Sequence, residues 1–286
     1  DARPVAKLFG QEARGSLEGT IHKKKDQYDI NLKADHPDFQ NISFQTITSK
    51  ISFQNFENFA MDIKADTGYY KRSIIDSLTF KAHSTHGKGQ FEGHFHAPET
   101  QALTTGSLNV SPHDWKILVQ KLQVFHDKQL AVGLFNPLHV DVTQDTVKVT
   151  ANKLKLHTGE LLFTNLEFGK TPSGKVSLVN VTPKVLSFLT DELEFSGKIK
   201  GEVQFSSLDG HTKVSGRLSL TDFTLIDSSR KTQKLASLNT HITYQDQKWL
   251  LKADYRDSAS SRLDAQATVL TPTLIPDHTA RILARA

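Results

Sequence analysis

One feature limits this chain more than any other: apolar and polar residues alternate strictly, and they do so from end to end. Residues 193–205, LEFSGKIKGEVQF, are the cleanest case. Leu193, Phe195, Gly197, Ile199, Gly201, Val203 and Phe205 occupy the odd positions. Glu194, Ser196, Lys198, Lys200, Glu202 and Gln204 occupy the even ones. A period of two places successive side chains on opposite faces of a strand, so such a segment has one wet face and one dry face. Glycine recurs on the dry parity, where a packed core would want bulk: Gly19, Gly93, Gly197, Gly201 and Gly216 all fall there.

The pattern repeats along the chain. It is present in SLEGTIH (Leu17, Gly19, Ile21), QYDINLKA (Tyr28, Ile30, Leu32), FAMDIKAD, SLTFKA and QFEGHFHA (Phe91, Gly93, Phe95). Further on it recurs in NLEFGKTPSGKVSLVN, where Leu166 and Phe168 precede a Pro-Ser-Gly turn and Val176 and Leu178 follow it. KVSGRLSL (Val214, Gly216, Leu218, Leu220), THITYQD (Ile242, Tyr244) and KWLLKADY (Trp249, Leu251) continue the series. Turn residues at His36-Pro37-Asp38, Thr67-Gly68, His86-Gly87, Ser173-Gly174 and Asp209-Gly210 separate the segments and predict antiparallel hairpins. Residues 37–59 and SPHDWKILVQKLQVF read as mostly strand. VTPKVLSFLTDE alone predicts a helix, over residues 183–190, with Pro183 at its first position. The sum is an all-β chain of roughly sixteen to eighteen strands. An antiparallel sheet must cover its dry face. For a meander of this length, one long, strongly curved sheet with an apolar concave groove is the simplest solution, expected as a single continuous unit over residues 1–286.

Composition narrows the function. With 37% hydrophobic residues, mean hydropathy −0.40 and no apolar run of about 18 residues, the sequence has no membrane-spanning helix. The absence of an initiator methionine suggests a segment of a longer protein. Net charge is +4, and Lys23, Lys24 and Lys25 form the only tight basic run, without interleaved aromatics, which argues against nucleic-acid binding. Zero cysteine excludes disulfides, thiolate metal sites and cysteine catalysis, and fits an oxidising compartment. GKTPSGKV approximates a phosphate loop, but Val176 stands where a magnesium-binding hydroxyl belongs and a strand pattern follows, so it reads as a hairpin turn. His83, His86, His94 and His96 cluster in sequence; His94 and His96 share the polar face and read as solvated rather than as metal ligands. No nucleophile motif or paired carboxylate points to catalysis, and no cofactor or metal is expected.

The order of features carries a resemblance. GSLNVSPHDW, then LAVGLFNPLHVDVTQDTVKVTANKLKL with its break at Pro137, then GELLFTNLEFGKTPSGKVSLVNVTPKVLSFL, then the G-x-hydrophobic-x-G strands of LEFSGKIKGEVQFSSLDGHTKVSGRLSL resemble the TamB proteins. These are inner-membrane-anchored subunits of the translocation and assembly module, within the AsmA-like family of bridge-type lipid-transfer proteins. The resemblance implies a β-taco whose groove shields phospholipid acyl chains between inner and outer membranes, supports outer-membrane and autotransporter assembly, and catalyses nothing. It implies a periplasmic protein, anchored to the inner membrane by an N-terminal segment absent here. It also implies an outer-membrane barrel partner of the TamA type, contacted through a region not in this chain. The expected groove wall is Leu17, Ile21, Ile30, Leu32, Phe91, Phe95, Leu166, Phe168, Val176, Leu178, Phe195, Ile199, Val203, Phe205, Val214, Leu218, Leu220, Ile242, Tyr244 and Leu251, with Gly19, Gly93, Gly197, Gly201 and Gly216 giving curvature. Three other readings remain open: a chaperone-like groove for outer-membrane polypeptides, a structural β-solenoid, and a fragment of an outer-membrane barrel.

Overall fold

The computed structural model describes residues 13–39, 42–70, 73–182, 194–208, 211–226, 232–245, 248–256, 262–270 and 281–285. These are all-β: twenty strands, every described pairing antiparallel, and no helix among the described residues. The helix expected over residues 183–190 lies outside the described residues. The backbone divides into two compact units, residues 1–144 and 145–286.

The first unit contains β1 (Ala13–Lys24), β2 (Gln27–Phe39), β3 (Ile42–Asn55), β4 (Asn58–Tyr70), β5 (Ser73–Thr85), β6 (Lys88–His96), β7 (Thr100–Val110) and β8 (Asp114–His126). Each pairs with the next as a meander. β9 (Gln129–Leu134) and β10 (Leu138–Thr143) both pair with β8, one with each end of it. They are one strand interrupted at Phe135–Pro137, as the Asn-Pro break predicts, because proline cannot donate to a ladder. In the second unit β11 (Thr146–Val149) and β12 (Asn152–Leu156) likewise share one partner, β13 (Glu160–Gly169). The meander then runs through β14 (Ser173–Val181), β15 (Glu194–Leu208), β16 (His211–Ile226), β17 (Thr232–Gln245), β18 (Lys248–Arg256), β19 (Arg262–Leu270) and β20 (Arg281–Arg285).

Several turn signals are not turns. His36 (φ +49°) lies inside β2 and Thr67 (φ +22°) inside β4. At the first of these, Arg14 faces Asp38 while Ser16 faces Asp35, so β2 carries an extra residue against β1. That is a β-bulge, which keeps the strand going while re-aiming its side chains. His86–Gly87 is a true hairpin turn. Asp209–Gly210 lies outside the described residues.

Within each unit the strands make their main contacts with ladder neighbours, and no second sheet packs over the first among the described residues. Only twelve apolar side chains are buried there, among them Ala65, Ala82, Leu108 and Val110 in the first unit and Val181, Ile199, Leu220 and Tyr244 in the second.

Candidate functional site: an apolar sheet face

Because the side-chain period is two, ladder register decides whether the dry residues of successive strands join one surface. They do. In the first unit one row reads Ile21–Ile30–Ile51–Met61–Ala82–Phe91–Gly106–Val119–Leu138, each residue directly opposite the next. The neighbouring row holds Leu17, Ala34, Ile47, Ala65, Leu78, Phe95, Ala102 and Val124. Between them lies Gly19–Leu32–Ser49–Ile63–Phe80–Gly93–Thr104–Leu122. In the second unit one row is Phe163–Val176–Val203–Gly216–Ile242–Leu251–Ala267, and the next is Leu161–Leu178–Gly201–Leu218–Thr240–Ala253–Ala265. Flanking these are Val181–Ile199–Leu220–Leu238–Tyr255–Leu263 and Phe205–Val214–Tyr244–Trp249–Val269.

The wall residues expected from sequence therefore fall into two sets, one on the dry face of each unit. Phe195 is placed by its backbone alone, opposite Leu225. Leu166 and Phe168 join the face only through a register shift between Thr164 and Glu167, where Asn165 has φ +45°. The shift brings even-numbered Leu166 and Phe168 onto the side of odd-numbered Leu161 and Phe163, and the Phe168 ring stacks on Phe205 at 6.1 Å.

Sequence reasoning put Met61 and Ala82 on the dry parity but left them out of the wall, and it missed Phe163, Val181 and the whole of β7. Strand β7 presents Ala102, Thr104, Gly106 and Leu108 to the dry face, a row too small to look apolar. The reason is visible in the packing: a Cβ on Gly106 would lie 2.5 Å from the Phe91 ring, so Phe91 covers that position. The same relation holds for the expected curvature glycines. Leu32 lies over Gly19, Thr104 and Phe80 over Gly93, Leu218 over Gly201, and Val203 over Gly216. Each glycine is overlain by a cross-strand neighbour, the large-against-small pairing that pins register in curved sheets. Gly197 differs: φ is +113°, beside a register shift between Ser196 and Lys198, a conformation that favours glycine.

Cover is uneven. Ala82, Leu108 and Val110 form a buried cluster under Phe59, Met61, Phe80, Phe91, Trp115 and Ile117. Val181, Ile199 and Leu220 form another with Leu156, Leu178, Leu218 and Leu238. Between and beside these, Ile21 is 66% exposed, Val203 42% and Leu251 37%. Trp115 stacks on Phe59 at 6.1 Å, and Trp249 lies 5.0 Å from Tyr244.

The opposite face is polar. His83, His94 and His96 stand exposed on it, with His96 Nδ1 2.8 Å from Asp76 Oδ2, and His86 sits in the β5–β6 turn. GKTPSGKV spans the β13–β14 hairpin. Glu99, His126 and Asp127 bring one ligand atom each within 4.8 Å of one another beside two loops, a juxtaposition that their separation in sequence hides. A cavity of about 1300 Å³ in the second unit is lined by Lys200, Glu202, Arg217, His241, Lys252 and Asp254 with others of two polar rows, and by the row between them, Leu178–Gly201–Leu218–Thr240–Ala253–Ala265, at its floor. Ile199, Val203, Leu220, Ile242 and Leu251, which flank this level on the apolar face, take no part in the lining, so the cavity opens on the polar face.

No known protein-family profile, curated protein or solved structure matches the chain.

Proposed function

We propose that the apolar face of each unit is the wall of a lipid groove, and that the chain is a TamB-like segment of a bridge-type lipid-transfer protein. The observation that carries this is the run of rows, apolar but for Ser49, Thr104 and Thr240, over one side of a sheet that no second layer covers within either unit among the described residues. Such a face needs a guest, because large contiguous apolar surface is otherwise an aggregation liability. Each acyl methylene moved onto it is worth about 0.8 kcal/mol. Curvature toward the apolar side is supported by one contact in particular. Phe59 on β4 and Trp115 on β8 have three strands between them, about 19 Å on a flat sheet, yet their rings are 6.1 Å apart. Small residues on the intervening strands, Ser84 and Gly89, lie on the Phe59 row and leave room beneath the rings. The wall offers branched and aromatic side chains without fixed charge, which suits sliding better than trapping. A periplasmic setting, an inner-membrane anchor elsewhere in the full protein and an outer-membrane barrel partner follow from the same reading.

The test places a photo-crosslinking side chain at Val203 or Leu251, and at Lys198 or Glu202 on the polar face, in protein incubated with phospholipid vesicles. Lipid adducts are expected at the first pair and not at the second. Native mass spectrometry should show co-purifying phospholipid, which Val203→Arg abolishes while the melting temperature holds within a degree or two. Equal labelling of both faces, or polypeptide adducts at Val203, would overturn the proposal.

A further inference from the structure

The polar face of the second unit carries a charge pattern that lipid shielding does not require. Its two polar rows read Lys200–Ser219–Asn239–Asp254–Asp264 and Ser177–Glu202–Arg217–His241–Lys252–Gln266. They are the walls of the 1300 Å³ cavity, whose floor is the row between them. Like charges directly opposite one another on a ladder are destabilising. The acidic instance is resolved within the sheet: Asp254 faces Asp264, and Arg262 bridges them at 3.1 Å to each, with Arg256 Nε also 3.1 Å from Asp254. Those arginines, Arg256 first, hold the Asp254 carboxyl below its ordinary range. The basic instance is left open. Arg217 and Lys252 stand on either side of His241 on β16, β17 and β18, two cations with no carboxylate between them, and Lys200 sits beside Arg217 across the trough. Among the described residues none of the four has an ion pair within 4.0 Å. Glu202 faces Arg217 but is already bonded to Lys175 at 2.7 Å.

We infer that this trough is a docking site for an extended acidic polypeptide segment. Charge complementarity sets the sign, since the carboxylates present are paired to Lys175, Arg256 and Arg262 while Lys200, Arg217 and Lys252 are not. Shape sets the class. The trough crosses seven strands, β13 to β19, about 29 Å at the usual strand spacing. Its walls are two residues apart along each strand, about 7 Å. That is long and narrow: a linear chain fits, whereas a membrane surface would meet only the tips of the side chains. The volume also exceeds the roughly 300–1,000 Å³ of small-molecule pockets. Asn239, Ser219 and Gln266 offer uncharged partners between the cations. The site is independent of lipid on the other face, so either proposal can fail alone.

The experiment is fluorescence anisotropy on the full chain with a labelled ten-residue peptide of alternating Glu and Ser. A Lys–Ser peptide, phosphatidylglycerol vesicles and inorganic phosphate serve as comparison probes. The acidic peptide is expected to bind and the basic one not. The double variant Arg217→Glu with Lys252→Glu should weaken acidic-peptide binding at least tenfold and gain affinity for the basic peptide, so a merely misfolded variant is distinguishable. Lys198→Glu, on the same face outside the trough, should change binding less than twofold. Absence of binding at low salt, or an equal loss in Lys198→Glu, overturns the inference. So does vesicle or free-phosphate binding stronger than the peptide's.

Discussion

The polar faces of the two units are built from the same alternation and solve their electrostatics differently. In the first unit a single row reads Asn31–Lys50–Asp62–Lys81–Glu92, with opposite charges facing each other at every step after the first. In the second, Arg217, His241 and Lys252 follow one another without an intervening carboxylate. A sign-alternating row balances its charge along the ladder, even though only Lys81 and Glu92 close to an ion pair, at 3.9 Å. A row with two cations and a carboxylate bonded elsewhere leaves positive charge for an added anion to meet. The apolar faces differ as well. The first unit covers small buried residues, Ala65 and Ala82 among them, with its own aromatics. The second leaves Val203 and Leu251 open beside a row of Gly201, Thr240, Ala253 and Ala265.

The largest effect expected is at Ile199. Sequence alone makes Ile199→Arg a groove-blocking change that leaves the fold intact, because Ile199 and Val203 share a face. The structure separates them. Ile199 is 5% exposed against Val181 and Leu220, and Val203 is 42% exposed. An arginine at 199 would bury an unpaired charge, which costs several kcal/mol. Chemical denaturation should show Ile199→Arg losing about 4 kcal/mol or more, with Ile199→Ala at about 2–4, while Val203→Arg stays within about 0.5. If Val203→Arg proves as destabilising as Ile199→Arg, the face is a core rather than a wall.

Glycine substitutions compare the units at a finer scale. A Cβ at Gly89 would lie 1.9 Å from the His83 carbonyl oxygen, and one at Gly106 2.2 Å from that of Leu118. Backbone cannot give way cheaply, so each Ala variant should cost about 3 kcal/mol. At Gly201 the nearest atoms are Arg217 O at 2.8 Å and the mobile Leu218 Cδ1 at 2.9 Å. There the clash is partly offset by the about 0.5–1 kcal/mol that alanine gains over glycine within a strand. Gly201→Ala should therefore shift the denaturation midpoint far less than either first-unit variant. Equal shifts would mean that the first unit's close approaches relax.

Most of the fold is legible in the sequence wherever alternation runs undisturbed, as in β15 and β18. What escapes it is phase. WKILVQKLQVF puts Trp115, Ile117 and Val119 on one parity and Leu122 and Val124 on the other. Only the extra residue opposite the Thr105–Gly106 step returns them to one face. A bulge breaks the period without ending the strand, which is why His36-Pro37 and Thr67-Gly68 resemble turns in one dimension. β7 is hidden for the opposite reason, since its dry residues are small where β6 supplies the bulk. The polar trough is also invisible in sequence, because Lys200, Arg217, His241 and Lys252 come from four strands and meet only through register.

The smallest effect expected concerns Asp254, and it joins the two faces of that comparison. Arg256, aided by Arg262, holds this carboxyl below the ordinary aspartate value of 3.8. A carboxylate with a lowered folded-state pKa contributes stability that is present above the unfolded value and is lost as pH falls through the folded one. Asp254→Asn should therefore be slightly less stable than the parent at pH 7, with the difference closing below about pH 4; the pair is exposed, so the melting shift is small. The same substitution removes one of the two carboxylates that neutralise Arg256 and Arg262 at the end of the trough. Acidic-peptide affinity should then rise severalfold at low salt and return to the parent value at high salt. A fall in affinity would mean that Asp254 orders the trough instead of screening it, and that the open cations Lys200, Arg217 and Lys252 are not what an acidic segment reads.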